Sequence, residues 1–223
     1  MERPEFVNSE IYHIYNRGVE KRDIFLEEKD YFRFIHDLFE FNDILPAGRF
    51  SEVRLPKVKL PKIEKHRKLL SHVLAFCLMP NHYHLLLMQK EDRGITQFMR
   101  KIGTGYTNYF NKKYDRIGPL FQGRFKAKIV QKDEYLTHLV HYIHSNPIEI
   151  IAPNWKDDKI RDLTKVDNFL KKYRWSSLLD YIGIKNFPSV IQKDFIFNFF
   201  GSEDDYYKDL MSWLNNGSRT SEP

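Results

Sequence analysis

Cysteine and long apolar runs are both scarce in this chain of 223 residues. The one cysteine, Cys77, excludes a disulfide within the chain and is typical of a reducing compartment, so we expect a cytoplasmic protein. The longest apolar stretch, around residues 73–80, is too short to cross a bilayer. The opening residues, MERPEFVNSE, carry charges and lack the apolar core of a signal peptide. We therefore expect neither a membrane partner nor an export signal.

Positive charge is concentrated in two segments, although the formal net charge is only +6. Residues 54–68 and 112–128 are both rich in Lys and Arg, with one acidic residue each. In the second segment the bases alternate with Tyr114, Phe121 and Phe125. Cations for phosphates beside flat rings for bases favour a nucleic-acid partner. An ordinary solvated basic loop is the alternative.

The hydrophobic pattern of residues 10–146 predicts strands and helices in the order β-α-β-β-α-β-α. Alternating and continuous apolar runs predict the strands, and apolar residues at helical spacing predict the helices. The predicted elements are a strand at 10–18, a helix at 29–42, strands at 71–79 and 82–89, a helix at 94–114, a strand at 124–130 and a helix at 134–146 with Asp133 as its N-cap. We therefore predict an α+β protein with a ferredoxin-like βαββαβ core, an antiparallel sheet and an added C-terminal helix.

The remaining segments are predicted to lie outside this core, which we assign to residues 1–150. Three prolines and many charges predict a basic loop or arm at residues 44–70. Residues 151–215 are expected to form an α-helical extension of short pieces around KKYRWSSLLDYIG and DDYYKDLMSWL, and residues 216–223 a disordered tail.

His82 and His84 form the first candidate site, because residues i and i+2 of a strand point to the same face. Tyr83 between them would face the core. Two imidazoles alone hold a metal poorly, so a third ligand is needed. The helix at 134–146 is the candidate source of that ligand.

Tyr142 and Asn146 are separated by one helical turn on that last helix. The helical pattern places both at the margin of the buried face, half covered and half in contact with water. Asn146 offers an amide oxygen that a hard cation accepts. The pair therefore predicts a phenol and a metal ligand side by side.

Other tyrosines and histidines compete for these roles. Tyr106 and Tyr109 lie among apolar neighbours on a helix, which favours core packing. The spacing of His141 and His144 permits zinc binding, but no Cys or acidic ligand stands near them in sequence. We expect His138 and His141 to lie on the helix surface or to face DNA.

Five sequence motifs, which follow one another along the chain in the family's order, resemble those of the REP-associated tyrosine transposases, which belong to the single-tyrosine HUH superfamily. His82-Tyr83-His84, after LMPN, resembles the HUH motif, in which two histidines flank a hydrophobic residue. The other four motifs are YHIYNRG at 12–18, GPLFQGRFKAK at 118–128, HYIHSNPI at 141–148 and YRWSS at 173–177.

The resemblance implies a metal-dependent enzyme that cleaves one DNA strand through a 5′-phosphotyrosine and can rejoin it elsewhere. It implies that Tyr142 is the nucleophile and that His82, His84 and Asn146 hold a divalent metal, Mg²⁺ or Mn²⁺. The expected partner is single-stranded or hairpin DNA of repetitive palindromic elements. A monomer is favoured, and a dimer that exchanges the tyrosine helix is possible.

DNA contacts are predicted from the second basic segment and the end of the first strand. The predicted contact residues are Arg17, Lys112, Lys113, Arg116, Gln122, Arg124, Lys126 and Lys128. Two other functions stay open at this point. One is a domesticated protein that binds nucleic-acid hairpins without turnover, and the other is a zinc hydrolase that uses the histidine pair.

Overall fold

A central sheet with helices on both faces organises the chain. The structure is a computed structural model that describes residues 3–45, 67–157 and 160–216. The first part comprises β1 (Ile11–Arg17), α1 (Glu28–Glu40), β2 (Ser71–Met79), β3 (His82–Gln89), α2 (Gly94–Lys113), β4 (Lys126–Val130) and α3 (Asp133–Ser145). This order is the predicted one, and the bounds differ from the predicted bounds by a few residues.

The four strands pair in the order β2-β3-β1-β4, and every neighbouring pair is antiparallel. β1 therefore lies between β3 and β4, with Tyr15 opposite His84 on one side and Lys126 on the other. This is the strand order of a split β-α-β repeat. The predicted ferredoxin-like core is confirmed.

Alternation along β3 separates a packing face from a functional face. Tyr83 is buried toward α1, where its ring lies 5.1 Å from that of Phe34. His84 points to the opposite face, where its ring lies 5.7 Å from that of Tyr142 on α3. The sheet thus has α1 on one side and α3 on the other, which is why β2 and β3 are nearly continuously apolar and buried.

The segment at residues 173–177 lies along the outer edge of β2. Leu78 N donates to Trp175 O at 2.9 Å, and Ser177 N donates to Phe76 O at 3.0 Å. Of the short helical pieces predicted around KKYRWSSLLDYIG, two are found, at Leu163–Leu170 and Leu178–Tyr181, whereas residues 173–177 between them bond to β2. The backbone N–H and C=O groups at the edge of β2 need hydrogen-bond partners. Residues 173–177 provide them, and these tertiary contacts outweigh the local preference for a helix.

The C-terminal extension is helical, as predicted, with four further helices in the described residues. They are α4 (Leu163–Leu170), α5 (Leu178–Tyr181), α6 (Asp194–Phe200) and α7 (Glu203–Asn216). α7 packs against α3, where Tyr206 Oη lies 2.5 Å from His144 Nδ1. The same extension thus covers the face of α3 that points away from the sheet.

This packing overturns the expected surface position of two histidines. His141 is buried against the rings of Tyr206 and Trp213, and Trp213 Nε1 donates to Nδ1 of half-buried His138. The apolar rings of α7 cover a helix face that the sequence of α3 alone marks as polar. Helix α3 also begins at Asp133 with Lys132 as its N-cap, so the predicted Asp133 cap is wrong by one residue.

Two predictions fall on residues that the structure does not describe. Residues 46–66, the main part of the predicted basic arm, and residues 217–223, the predicted tail, lie outside the described residues. None of the described helices is both long and apolar enough to span a membrane.

Candidate active site

Strand β3 places His82 and His84 on the functional face of the sheet. Their ring centroids are 5.1 Å apart and the ring planes are nearly perpendicular, at 89°. His82 Nδ1 lies 2.6 Å from Asn81 Oδ1, while Asn81 Nδ2 donates to Lys21 O at 3.3 Å. Because an amide oxygen only accepts, Nδ1 of His82 carries a hydrogen, and in the neutral ring Nε2 then carries the lone pair. This is the tautomer in which Nε2 can bind a metal.

His13 on β1 orients the second histidine. Its Nε2 atom lies 2.8 Å from Nδ1 of His84, and the two rings stack with centroids 5.0 Å apart. Burial, with a contribution from Lys128, lowers the pKa of His13 to about 3. Burial and then His13 also lower the pKa of His84 well below its ordinary value. Both imidazoles are therefore neutral near pH 7, the form that a metal ion binds.

His13 was not among the predicted site residues, although its place in β1 carried a signal. His13, Tyr15 and Arg17 alternate along β1 and share the face of His84 and His82. The alternation was visible in IYHIYNR, but the pairing of β1 with β3 was needed to bring the histidines together.

Helix α3 brings Tyr142 to the histidine pair. The Tyr142 ring lies edge-on to the His84 ring, at 88°. The prediction of a half-wet position is wrong, since only 2% of Tyr142 and 0% of Asn146 are exposed. Lys156, in the segment after α3, contributes to the covering of Tyr142, because its Nζ donates to Tyr142 Oη at 3.2 Å.

Asn146 begins a 3₁₀ helix, Asn146–Ile150, directly after α3. Its Nδ2 donates to Tyr142 O at 3.1 Å, whereas its buried Oδ1 has no hydrogen-bond partner among the described residues. A buried amide oxygen without a partner costs free energy, so its presence is typical of a ligand position. Two neutral imidazoles and one amide oxygen suit a divalent ion such as Mg²⁺ or Mn²⁺.

A zinc site built from three stronger ligands is not found in the described part of the chain. No three His, Cys, Asp or Glu side chains there are grouped to hold one metal ion. Both nitrogens of His144 are engaged, with Tyr206 Oη at 2.5 Å and Ser177 Oγ at 2.7 Å. Tyr106 lies in the core and Tyr109 packs against it, as predicted, and Tyr106 Oη donates to Ile24 O.

The predicted DNA-contact residues fall into an accessible group and a paired group. On β4, Lys126 lies opposite Tyr15 and Lys128 lies opposite His13, beside the candidate site. On β1, Arg17 lies opposite His82. The exposed members of the set are Lys112, Gln122, Arg124 and Lys126.

The paired group consists of Lys113 and Arg116. Lys113 Nζ bonds to buried Asp30 and lies 2.6 Å from a Glu27 carboxylate oxygen. Arg116 Nη1 donates to Asn111 Oδ1 at 2.9 Å. These internal contacts favour structural roles for both residues over contacts with phosphates.

A comparison with protein families places all four candidate site residues in one matched segment. Residues 57–146 match the family model described as Transposase IS200 like. The predicted resemblance to the tyrosine transposases is confirmed. The matched segment includes His82 and His84 and ends at Asn146, so it spans β3, Tyr142 and the candidate metal ligand.

The fold of this chain is also similar to that of a solved structure, a REP-associated tyrosine transposase bound to a REP hairpin. The superposition covers 87% of this chain and 92% of that one, with a TM-score of 0.52 and 13% sequence identity. At this identity the likeness establishes the fold. A search of curated proteins found no match.

Proposed function

We propose that this protein is a metal-dependent single-strand DNA endonuclease and strand transferase that recognises hairpin DNA. One observation carries the proposal: the Tyr142 ring lies 5.7 Å from that of His84, which shares its sheet face with His82, while Asn146, one helical turn after Tyr142, has a buried amide oxygen without a hydrogen-bond partner among the described residues. The family match supports a transposase-like protein, and the REP hairpin in the similar structure supports hairpin DNA as the partner.

The proposed reaction is a transesterification. Tyr142 Oη forms a bond to the phosphorus and the bond from phosphorus to O3′ breaks, so that a 5′-phosphotyrosine and a 3′-hydroxyl result. The phenol proton passes to water, and the departing O3′ takes up one proton. A divalent ion held by His82, His84 and Asn146 would supply charge withdrawal at the scissile phosphate.

The chain's own residues perform the remaining tasks in this proposal. His13 holds His84 in one orientation through the bond to Nδ1, and Asn81 does the same for His82. Lys126, Lys128 and Arg17 would contact phosphates beside the tyrosine, and Lys112, Gln122 and Arg124 would contact the flanking DNA. Because α3 packs on the sheet of its own chain, the tyrosine serves in cis, which supports a monomer.

A binding protein without turnover is the second candidate, and the 2% exposure of Tyr142 favours it. A labelled hairpin oligonucleotide incubated with Mn²⁺ and examined on a denaturing gel separates the two. We expect a covalent adduct from the wild type, none from Tyr142→Phe, and strongly reduced adduct from His82→Ala, with hairpin binding retained in all three. An adduct that persists in Tyr142→Phe would overturn the assignment of the nucleophile. Hairpin binding without any wild-type adduct would establish the second candidate.

A further inference from the structure

We propose that Lys156 is a further residue of the reaction, which holds the phenol oxygen of Tyr142 and balances the charge of the scissile phosphate. This inference rests on the proposed function. Lys156 follows Tyr142 by 14 positions and lies in the loop after the 3₁₀ helix, where no sequence motif marks it.

Two observations place the Lys156 ammonium group at the reacting atom. Nζ donates to Tyr142 Oη at 3.2 Å, and it lies 5.0 Å from the centroid of the Tyr142 ring. The Tyr142 ring in turn lies 5.7 Å from that of His84. Lys156 therefore contacts the candidate nucleophile directly, next to a candidate metal ligand.

Two neighbours hold the lysine in this position. Glu149 Oε2 lies 3.4 Å from Nζ and its side chain is 39% exposed, so it screens the ammonium only partly. Trp155 precedes the lysine and is 2% exposed, with its ring 6.3 Å from that of Trp213 on α7. The C-terminal extension thus packs against the backbone beside Lys156, while the lysine side chain remains 24% exposed.

The charge of Lys156 fits the chemistry of the step. An ammonium group has three hydrogens to donate and cannot accept, so the phenol oxygen receives the bond and its own hydrogen is lost in another direction. As Oη approaches phosphorus, Lys156 can exchange its long contact with Glu149 for a phosphate oxygen. Charge-assisted bonds of this kind stabilise developing negative charge strongly in a buried site.

If Lys156 only packs on the Tyr142 ring, removing its charge while retaining its apolar stem should leave the rate of adduct formation unchanged. Lys156→Met retains the long apolar stem and removes the charge, and Lys156→Arg retains the charge. The matched control is Lys172→Met, on an exposed lysine outside the site. Single-turnover adduct formation is measured at saturating hairpin and Mn²⁺, together with hairpin affinity and the melting temperature.

We expect adduct formation about 100-fold slower in Lys156→Met, with hairpin affinity changed less than about threefold. Lys156→Arg should restore most of the rate, and Lys172→Met should match the wild type. A second substrate carries a methylphosphonate at the scissile position, which removes the phosphate charge. The rate ratio between the two substrates is taken within each variant, so that any loss of folded protein cancels.

The ratio compares the rate of adduct formation on the phosphodiester with that on the methylphosphonate. We expect this ratio to differ by at least about tenfold between wild type and Lys156→Met, because the lysine acts on the phosphate charge. An unchanged ratio, or wild-type adduct rates in Lys156→Met, would overturn the role of Lys156 and leave the proposed function intact if Tyr142→Phe forms no adduct. Absence of adduct from the wild type would overturn the proposed function and, with it, this role.

Discussion

Nδ1 of His84 lies 2.8 Å from Nε2 of His13, and this contact joins β3 to β1 within the face that receives Tyr142. A bond at Nδ1 leaves Nε2 of His84 to face a ligand, and it fixes the rotation of the ring. The neighbouring His82 is oriented in the same way by Asn81. The two proposed metal ligands are thus each held by a second side chain.

Loss of His13 should weaken metal binding without removing a ligand. We expect His13→Phe to lower Mn²⁺ affinity by about 10- to 100-fold, because the His84 ring loses its orienting partner. Isothermal titration with Mn²⁺ in the absence of DNA measures this directly. His36→Phe, on the outer part of α1, is the control and should leave the affinity unchanged. Equal affinities of His13→Phe and wild type would show that His13 has no part in the site.

Asn146→Asp should make the stability of the protein depend on metal. The buried position has an amide oxygen without a partner, and a carboxylate there would be desolvated and uncompensated. We expect a lower melting temperature than wild type in EDTA and a larger increase on adding Mn²⁺, because bound metal neutralises the new charge. Asn146→Leu serves as the control and should show no stabilisation by Mn²⁺. A metal response in Asn146→Asp no larger than in wild type would exclude this residue as a ligand.

The stability of the α3–α7 contact should decrease in acid. Burial, and then His141, lowers the pKa of His144 to about 3. The unfolded chain takes up a proton on His144 near pH 6.5, whereas the folded chain does not until about pH 3. The free energy of unfolding therefore falls as the pH drops from about 6.5 toward 3, and it gains nothing from this group above 6.5.

Chemical denaturation in EDTA at pH 8 and pH 5 tests this expectation. His144→Asn should be less stable than wild type at pH 8 by about 1–3 kcal/mol, because Tyr206 and Ser177 lose their partner. The loss on going to pH 5 should be smaller in His144→Asn than in wild type. Identical pH dependence in the two proteins would show that folding does not lower the pKa of His144.

Two lysines that are close in sequence should respond differently to removal. Exposed Lys126 lies beside Tyr15 near the candidate site, so Lys126→Ala should reduce the salt slope of hairpin binding by about 0.7–0.9. Lys113 is paired with buried Asp30, so Lys113→Ala should leave the slope unchanged and lower stability by about 1–3 kcal/mol. Binding measured across a series of salt concentrations, with melting curves, separates these outcomes. A reduced slope for Lys113→Ala would instead place it on the DNA.

Local sequence determined the elements of the core and the residues of the histidine motif. Alternation in IYHIYNR and the apolar runs around Cys77 and Leu86 specify strands, because a strand with one or two buried faces needs those patterns. The ordered motifs also predicted the resemblance to tyrosine transposases and hence Tyr142, His82, His84 and Asn146 as candidates. These predictions depend on spacing within one element or on motif order, which the sequence displays directly.

Only the tertiary structure decided which side chains meet. His13 reaches His84 because β1 pairs with β3, and that register joins residues 71 positions apart. Lys156 reaches Tyr142 because the chain turns back after the 3₁₀ helix and Trp155 is buried near α7. Such contacts follow from packing between elements that are distant in sequence, and no local pattern encodes them. The sequence by itself therefore determined the strand that carries His82 and His84, whereas the fold alone determined the partners that orient those histidines and the cation beside Tyr142.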